Sequence, residues 1–220
     1  MSQTPTIGFS AFLKIINSNP KPQKRIVRER HVPSEGGYDY HKSLRQRIRQ
    51  IAFDGISPTA SLASTIQIKK TSERESARRG LLRFFQWRDA NPGPLSACDG
   101  LIYPSPKGLF KVSFTPDFLL EINGRRTAVH VWNTKHPLTA TLVLAALSTV
   151  ALRYPIETRP DDFAVLSLQG GSIYRWSNAD KATAALGEKL LELIDRQCEL
   201  ARFELGLPAS TGTEPPRPRP

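Results

Sequence analysis

The sequence predicts an α/β fold in which a central sheet is flanked by helices, and three observations support this class. Two β-rich runs, VSFTPDFLLEI and RRTAVHVW, flank Asn123-Gly124, a strong hairpin signal because both residues tolerate positive φ. The nearly all-apolar run from Leu138 to Leu152 predicts a buried helix, and DDFAVLSL after it predicts a buried strand. A final segment, about residues 179–205, carries leucines at helical spacing and predicts a long C-terminal helix.

The first 42 residues are predicted to form a basic N-terminal extension outside the packed core. A short apolar piece, GFSAFLKII, is followed by PKPQKRIVRERHVPSEGGY, in which Pro, Gly and charged residues interrupt any long periodic pattern. We therefore expect residues 1–42 to be an extended and partly disordered arm in the free protein.

Two helices are predicted between this arm and the hairpin. Residues 43–53 form the first, because their apolar positions recur at helical spacing. Its remaining faces carry three arginines, Arg45, Arg47 and Arg49. Residues 54–70 are predicted to be a loop followed by a short strand-like stretch. The second helix begins after Thr71 or Ser72, whose hydroxyl can cap the first turn, and ends at the sequence NPGP.

The organisation predicted from these elements is a single main domain over residues 43–207 with a tail at 208–220. A chain of 220 residues suits one buried core with extensions. Within the domain, Gly170-Gly171 turns the chain from the buried strand into the strand-like run SIYRW. The sequence STGTEPPRPRP near the C-terminus is Pro-rich and is expected to be disordered.

The charge of the chain is strongly basic and unevenly distributed. The formal net charge is +11, and residues 1–80 contain fifteen Lys and Arg against six Asp and Glu. This imbalance indicates a polyanionic partner, for which we expect duplex DNA. No apolar run reaches 18 residues and no signal-peptide pattern is present, so a cytoplasmic protein without membrane contact is expected. Cys98 and Cys198 have no metal-ligand spacing and are expected to be reduced thiols.

The hairpin carries an acidic motif at the start of its first strand. The sequence reads FTPDFLL at 114–120, Asn123-Gly124 at the turn, and TAVHVW at 127–132. Placed between a helix and a following apolar helix and strand, this stretch resembles the core of the PD-(D/E)xK, or restriction-endonuclease-like, superfamily. It is most similar to the TnsA-type transposon endonucleases. The resemblance covers about residues 72–170 and implies a mixed sheet flanked by helices and a DNA substrate.

The same resemblance implies that most of the catalytic residues are replaced. In that family an Asp and a Glu or Gln hold Mg²⁺, a Lys two residues later orients the attacking water, and a helix Glu completes the metal shell. Asp117 stands at the family's Asp position, but His130 replaces the Glu or Gln and Trp132 replaces the Lys. The best register of the first helix puts Arg78 or Arg79 where its Glu belongs.

An active site would have to draw on other residues. Glu75 lies one turn before the helix position, Glu121 could supply a second oxygen ligand beside Asp117, and Lys135 could replace the missing Lys. With Asp117, either Glu121 or Glu75, and Lys135, the chain would be an active Mg²⁺-dependent DNA endonuclease of TnsA type, which is the first alternative.

The leading hypothesis is a DNA-binding pseudo-nuclease that needs no cofactor. It would act with protein partners, as an accessory subunit of a transposition, recombination or other mobile-element assembly. Weakly sequence-selective DNA contacts are expected from nine basic residues: Lys24, Arg25, Arg28, Arg30, Arg45, Arg47, Arg49, Lys69 and Lys70. A second alternative is a protein-interaction module that binds a partner through its final helix and basic arm and does not contact DNA.

Overall fold

The structure is a computed structural model that describes residues 4–32 and 40–208. Within these ranges the fold is mixed α/β. The strands are β1 (Thr6–Gly8), β2 (Leu101–Pro104), β3 (Lys111–Phe114), β4 (Phe118–Ile122), β5 (Arg125–Trp132), β6 (Asp162–Ser167) and β7 (Ser172–Arg175). The helices are α1 (Phe9–Ile16), α2 (Pro20–Glu29), α3 (Lys42–Phe53), α4 (Pro58–Ser64), α5 (Thr71–Ala90), α6 (Ala140–Arg153) and α7 (Lys181–Glu204).

The larger sheet has the strand order β4-β5-β6-β7 and contains the predicted hairpin. Strands β4 and β5 pair antiparallel, with Phe118 opposite Val129 and Ile122 opposite Arg125. Asn123 and Gly124 adopt φ angles of 53° and 71°, as a type I′ turn requires, so the hairpin turn is confirmed. Strand β6 pairs parallel to β5 after the crossover through α6, and β7 pairs antiparallel to β6.

The smaller sheet contains β3, whose residues were predicted to belong to the first strand of the hairpin. Its central strand β3 pairs parallel to β1 and antiparallel to β2. The run VSFTPDFLLEI is therefore not one strand, because its first part, β3, lies in the smaller sheet and its last part, β4, in the larger one. Pro116 lies at the break, where its lack of an N–H removes a donor that a continuous ladder would need.

Both faces of the larger sheet are covered, so β5 and β6 are buried almost throughout. One face packs into a core with α1, α6 and α7, through Ala128, Trp132, Phe163 and Val165. The other face packs against α3 and α5, through Val129, Val131, Ala164 and Leu166. The central sheet between two helical layers, and the buried strand β6, are as the sequence predicts.

Helices α6 and α7 pack closely, and both were predicted from the sequence. A Cβ atom added at Gly187 would lie 2.5 Å from the carbonyl oxygen of Ala145, so only glycine permits this approach. Beside it, the Arg153 guanidinium donates two hydrogen bonds of 2.6 and 2.8 Å to the Glu188 carboxylate. Among the helices of residues 4–32 and 40–208, none is both long and apolar enough to cross a membrane.

The N-terminal segment corrects the expectation of an extended arm. Residues 4–32 contain β1, α1 and α2, and α1 buries five of its eight residues in the main core. In α2, Pro20 occupies the first turn, where its missing N–H costs nothing, and Ile26 and Val27 are buried. These residues belong to the domain. Residues 33–39 of the predicted arm, and 209–220 of the predicted tail, lie outside the described residues.

The segment between α3 and α5 is helical, contrary to the prediction of a loop and a strand-like stretch. It contains α4 and a single 3₁₀ turn, Thr65–Gln67. Ser57 caps α4, because its hydroxyl oxygen accepts a 3.2 Å hydrogen bond from the backbone N–H of Ala60, and Pro58 suits the first turn. The helices on either side, α3 and α5, were predicted, but α5 begins at Thr71 itself, with Lys70 at the N-cap and no capping hydrogen bond from a side chain.

Candidate functional site

A cluster of polar side chains lies where α1, α3 and the hairpin meet. Asp117 directly precedes β4, His130 lies on β5, Ser10 lies in the first turn of α1, and Arg45 lies on α3. Asp117 and His130 are brought together by the hairpin, with 3.8 Å between Asp117 Oδ2 and His130 Nδ1. The pairing of Phe118 with Val129 in the hairpin accounts for this proximity.

The Asp117 carboxylate is engaged by the protein itself. Its Oδ2 atom accepts a 2.7 Å hydrogen bond from the backbone N–H of Val131, and its Oδ1 atom lies 3.8 Å from Nε of Arg45. Only 5% of the Asp117 residue surface is exposed. The carboxylate thus links the start of β4 to β5 by a hydrogen bond, and the Arg45 guanidinium lies beside its other oxygen.

A chain of hydrogen bonds runs from α3 to the hairpin through Ser10. Arg45 Nη2 donates to Ser10 Oγ at 2.6 Å, and Ser10 Oγ lies 2.8 Å from His130 Nε2. The other ring nitrogen, Nδ1, faces the carbonyl oxygen of Thr115 at 3.4 Å. Because a carbonyl only accepts, we assign the ring proton to Nδ1, and Nε2 then accepts the Ser10 hydroxyl proton.

Burial determines the protonation state of His130. Desolvation, followed by the nearby charge of Arg45, lowers the pKa of His130 to about 3, although the hydrogen bond with Thr115 opposes this shift. The Phe9 ring packs edge-on against the imidazole, with 5.2 Å between centroids. At neutral pH the residue is therefore a neutral, packed imidazole.

This depressed pKa predicts a loss of stability in mild acid. An unfolded histidine has a pKa of about 6.5, so below that pH His130 is protonated in the unfolded chain but stays neutral in the folded one. Proton binding therefore stabilises the unfolded state. The contribution is complete above about pH 6.5 and is lost as pH falls, by up to about 1.4 kcal/mol per pH unit. Urea unfolding between about pH 7 and pH 5 measures this slope.

The matched variant for this measurement is His130→Gln, whose amide can still donate and accept hydrogen bonds but does not titrate. Its unfolding free energy should depend less steeply on pH than that of the unchanged protein. Equal slopes for the two proteins would mean that His130 does not stay neutral when the chain is folded.

The residues proposed for an active nuclease do not form a metal-binding group. Glu75 is exposed on α5 and lies 3.6 Å from Arg79, while Glu121 and Lys135 are exposed on and after the hairpin. Within the described part of the chain, no three His, Cys, Asp or Glu side chains converge to hold a metal ion. Trp132, at the family's Lys position, is buried, and its Nε1 donates to the His136 carbonyl at 3.3 Å.

Sequence reasoning missed Ser10 and a second polar group at the end of β5. Asn133 is buried beside α5, 3.4 Å from the Ser76 hydroxyl, and it accepts a 3.3 Å hydrogen bond from Gln169. Arg83 in turn donates to Gln169 at 2.5 Å. The sequence did offer a signal for this group, because Asn133 and Gln169 follow two neighbouring buried strands. Polar residues in such positions lie close together at one edge of a parallel sheet.

The basic residues predicted to contact DNA fall into four groups. Arg47 is buried, with only 7% of its surface exposed, and it donates to Ser64 Oγ and to the Ser64 carbonyl, so it holds α3 against α4. Arg45 is half-buried in the cluster with Asp117. Four exposed cations lie on or next to α2: Lys24, Arg25, Arg28 and Arg30. Three more lie on or near α3 and are also exposed: Arg49, Lys69 and Lys70.

The α2 cations are partly neutralised by acidic neighbours. Lys24 forms an ion pair with Glu204 of α7, and Arg25 lies 3.5 Å from Glu29 one turn later. Around α3, Arg49, Lys69 and Lys70 are exposed, and Lys70 Nζ lies 5.0 Å from the centroid of the Tyr40 ring. This surface is a candidate for contact with a polyanion.

Two cavities flank α3. One has a volume of about 640 Å³ and lies between α3, the 3₁₀ turn and the start of α5, where it is lined by Lys69, Lys70 and Glu73, among others. The second has a volume of about 440 Å³ and is lined by Asp54 and by residues of α3. Gln46 and Gln50 of α3 line both cavities.

Comparison with protein-family models and with curated proteins found no match to this chain.

Proposed function

We propose that the chain is a DNA-binding protein with a PD-(D/E)xK scaffold, similar to that of TnsA-type endonucleases, whose catalytic positions serve packing. It would work as an accessory subunit with protein partners in a transposition, recombination or related DNA-processing assembly. The main support for the proposal is that the protein itself engages the Asp117 carboxylate. The Val131 N–H donates a hydrogen bond to it and the Arg45 guanidinium lies beside it, whereas the Asp at this family position holds a metal ion.

The neighbouring family positions support the same conclusion. Mg²⁺ requires several oxygen ligands in near-octahedral geometry, whereas His130 offers a buried imidazole and Trp132 an indole. Neither side chain can replace a metal-binding carboxylate or a water-orienting ammonium group. The retained function is then binding, for which the exposed cations around α3 provide the charge.

The first test is the salt dependence of binding to a random-sequence duplex. Each cation that neutralises a phosphate contributes about 0.9 to the slope of log affinity against log salt. The combined variant Lys42→Ala, Lys69→Ala, Lys70→Ala should therefore reduce that slope by about 2.7. Fluorescence anisotropy of a labelled duplex across a salt series gives the slope directly.

The matched control removes three exposed cations from α7 instead, in the combined variant Lys181→Ala, Lys189→Ala, Arg196→Ala. It has the same net charge as the test variant, so any difference between them reports position. If the unchanged protein shows no salt-sensitive binding, the DNA proposal is wrong and the protein-interaction module becomes the better hypothesis. Nicking of a supercoiled plasmid with Mg²⁺ or Mn²⁺, abolished by Asp117→Ala, would instead establish the endonuclease.

A further inference from the structure

Helix α3 has one face in the core and one face in solvent. Leu44 and Ile48 are fully buried against α5 and the larger sheet. Lys42, Gln46 and Arg49 are exposed on the opposite side, and Gln50 next to them is half-exposed. The spacing of these four residues places them on adjacent turns of the outer face.

The outer side chains are polar and are not used to hold the fold together. In residues 4–32 and 40–208, the side chains of Gln46, Arg49 and Gln50 make no hydrogen bond to another protein group. The Arg49 guanidinium lies 5.8 Å from the centroid of the Phe53 ring one turn later, which favours one position for it on the helix surface. Two amides and one guanidinium are thus available to an external partner.

The shape around α3 suits insertion into a groove. One cavity lies between α3, the 3₁₀ turn and the start of α5, and the other lies over the outer face of α3, where Gln46, Arg49 and Gln50 line it. An α-helix with its side chains is about 10–12 Å wide, and the major groove of B-form DNA is about 12 Å wide. A helix of this width can enter the groove with its outer face toward the base edges.

The charges around the outer face agree with this placement. Lys69 and Lys70 line the larger cavity, and Lys42 lies at the start of α3, so cations lie next to the outer face. Two acidic residues also line the cavities. Of these, Glu73 is buried and attracts Arg47, and Asp54 lies at the C-terminal end of α3.

We propose that α3 is a recognition helix that reads base edges in the major groove of duplex DNA through Gln46, Arg49 and Gln50. Glutamine forms paired hydrogen bonds with adenine N6 and N7, and arginine forms them with guanine O6 and N7. The proposal rests on the proposed DNA binding and adds to it a preference for sites containing adenine and guanine at the positions under α3. It replaces the weak sequence preference expected from basic residues alone.

The experiment begins with selection of duplexes from a randomised pool by the full chain. The selected duplex should bind at least about tenfold more tightly than a random duplex, because each paired contact discriminates by a factor of this order. The double variant Gln46→Ala, Gln50→Ala should lose most of this ratio while its binding to the random duplex stays unchanged. Arg49→Lys should lose preference at guanine and keep the salt slope, because the charge remains.

The control variant is Gln86→Ala, which removes an exposed glutamine of α5 that lines neither cavity. It should leave both affinities unchanged. Two outcomes would contradict the recognition role of α3 and leave the proposed function standing. In the first, the protein binds the random duplex but selection enriches no sequence. In the second, the sequence preference is unchanged in the double variant. Absence of all DNA binding would overturn the proposed function itself. Equal affinity for duplex RNA of the selected sequence would also contradict the inference, because the A-form major groove is too narrow for a helix.

Discussion

Deletion of residues 1–16 is expected to unfold the protein. Each large apolar side chain that is fully buried contributes about 1.5–3 kcal/mol, and the whole stability of a domain is about 5–15 kcal/mol. The deletion removes six such side chains from the main core: Ile7, Phe9, Phe12, Leu13, Ile15 and Ile16. It also removes the pairing of β1 with β3 and the Ser10 hydroxyl that faces His130.

Circular dichroism with urea unfolding tests this expectation, and the deleted protein should show no cooperative transition. Deletion of residues 209–220 is the control, because it takes away no residue of the described core. A shortened protein lacking residues 1–16 that still unfolded cooperatively at the original midpoint would show that this segment is a dispensable arm.

Replacement of Asp117 by alanine should destabilise the fold by about 2–3 kcal/mol even without any metal. The Val131 N–H would lose a charged acceptor and remain buried without a partner, which costs about this amount. Arg45 would lose the carboxylate beside it, although it is exposed enough to move toward solvent. Asp117→Asn keeps an oxygen that can accept from Val131, so its destabilisation should be clearly smaller.

Urea unfolding of the three proteins, with and without Mg²⁺, separates a structural role from a catalytic one. Under the structural role, alanine costs more than asparagine and Mg²⁺ changes none of the midpoints. If Mg²⁺ stabilised the unchanged protein and both variants lost this effect equally, Asp117 would be a metal ligand, and the pseudo-nuclease proposal would be wrong.

Much of the sheet and its covering helices could be predicted because their signals are local. Asn123-Gly124 sets the hairpin by its own φ preferences. Helix α6 and strand β6 each consist of a nearly uninterrupted apolar run, and this is enough to predict that both are buried. The proximity of Asp117 and His130 follows from the hairpin alone, so the sequence also predicts this part of the candidate site.

The rest depends on interactions between distant parts of the chain. Ser10 and His130 are 120 positions apart, and no sequence pattern links them. Helix α1 is only eight residues long, and an apolar run of this length does not distinguish a buried helix from a buried strand, so only the surrounding core determines where it packs. The inward position of Arg47 depends on Ser64, 17 positions away, whose hydroxyl and carbonyl oxygens both accept hydrogen bonds from the guanidinium.

The parallel pairing of β1 with β3 has a consequence for synthesis on the ribosome. Thr6 pairs with Lys111, so the first strand and α1 emerge about a hundred residues before the strand that completes their sheet. At about 5–20 residues per second, the apolar surface of α1 is without its native partners for several seconds. The nascent chain therefore presents a hydrophobic helix to chaperones before the domain can close around it.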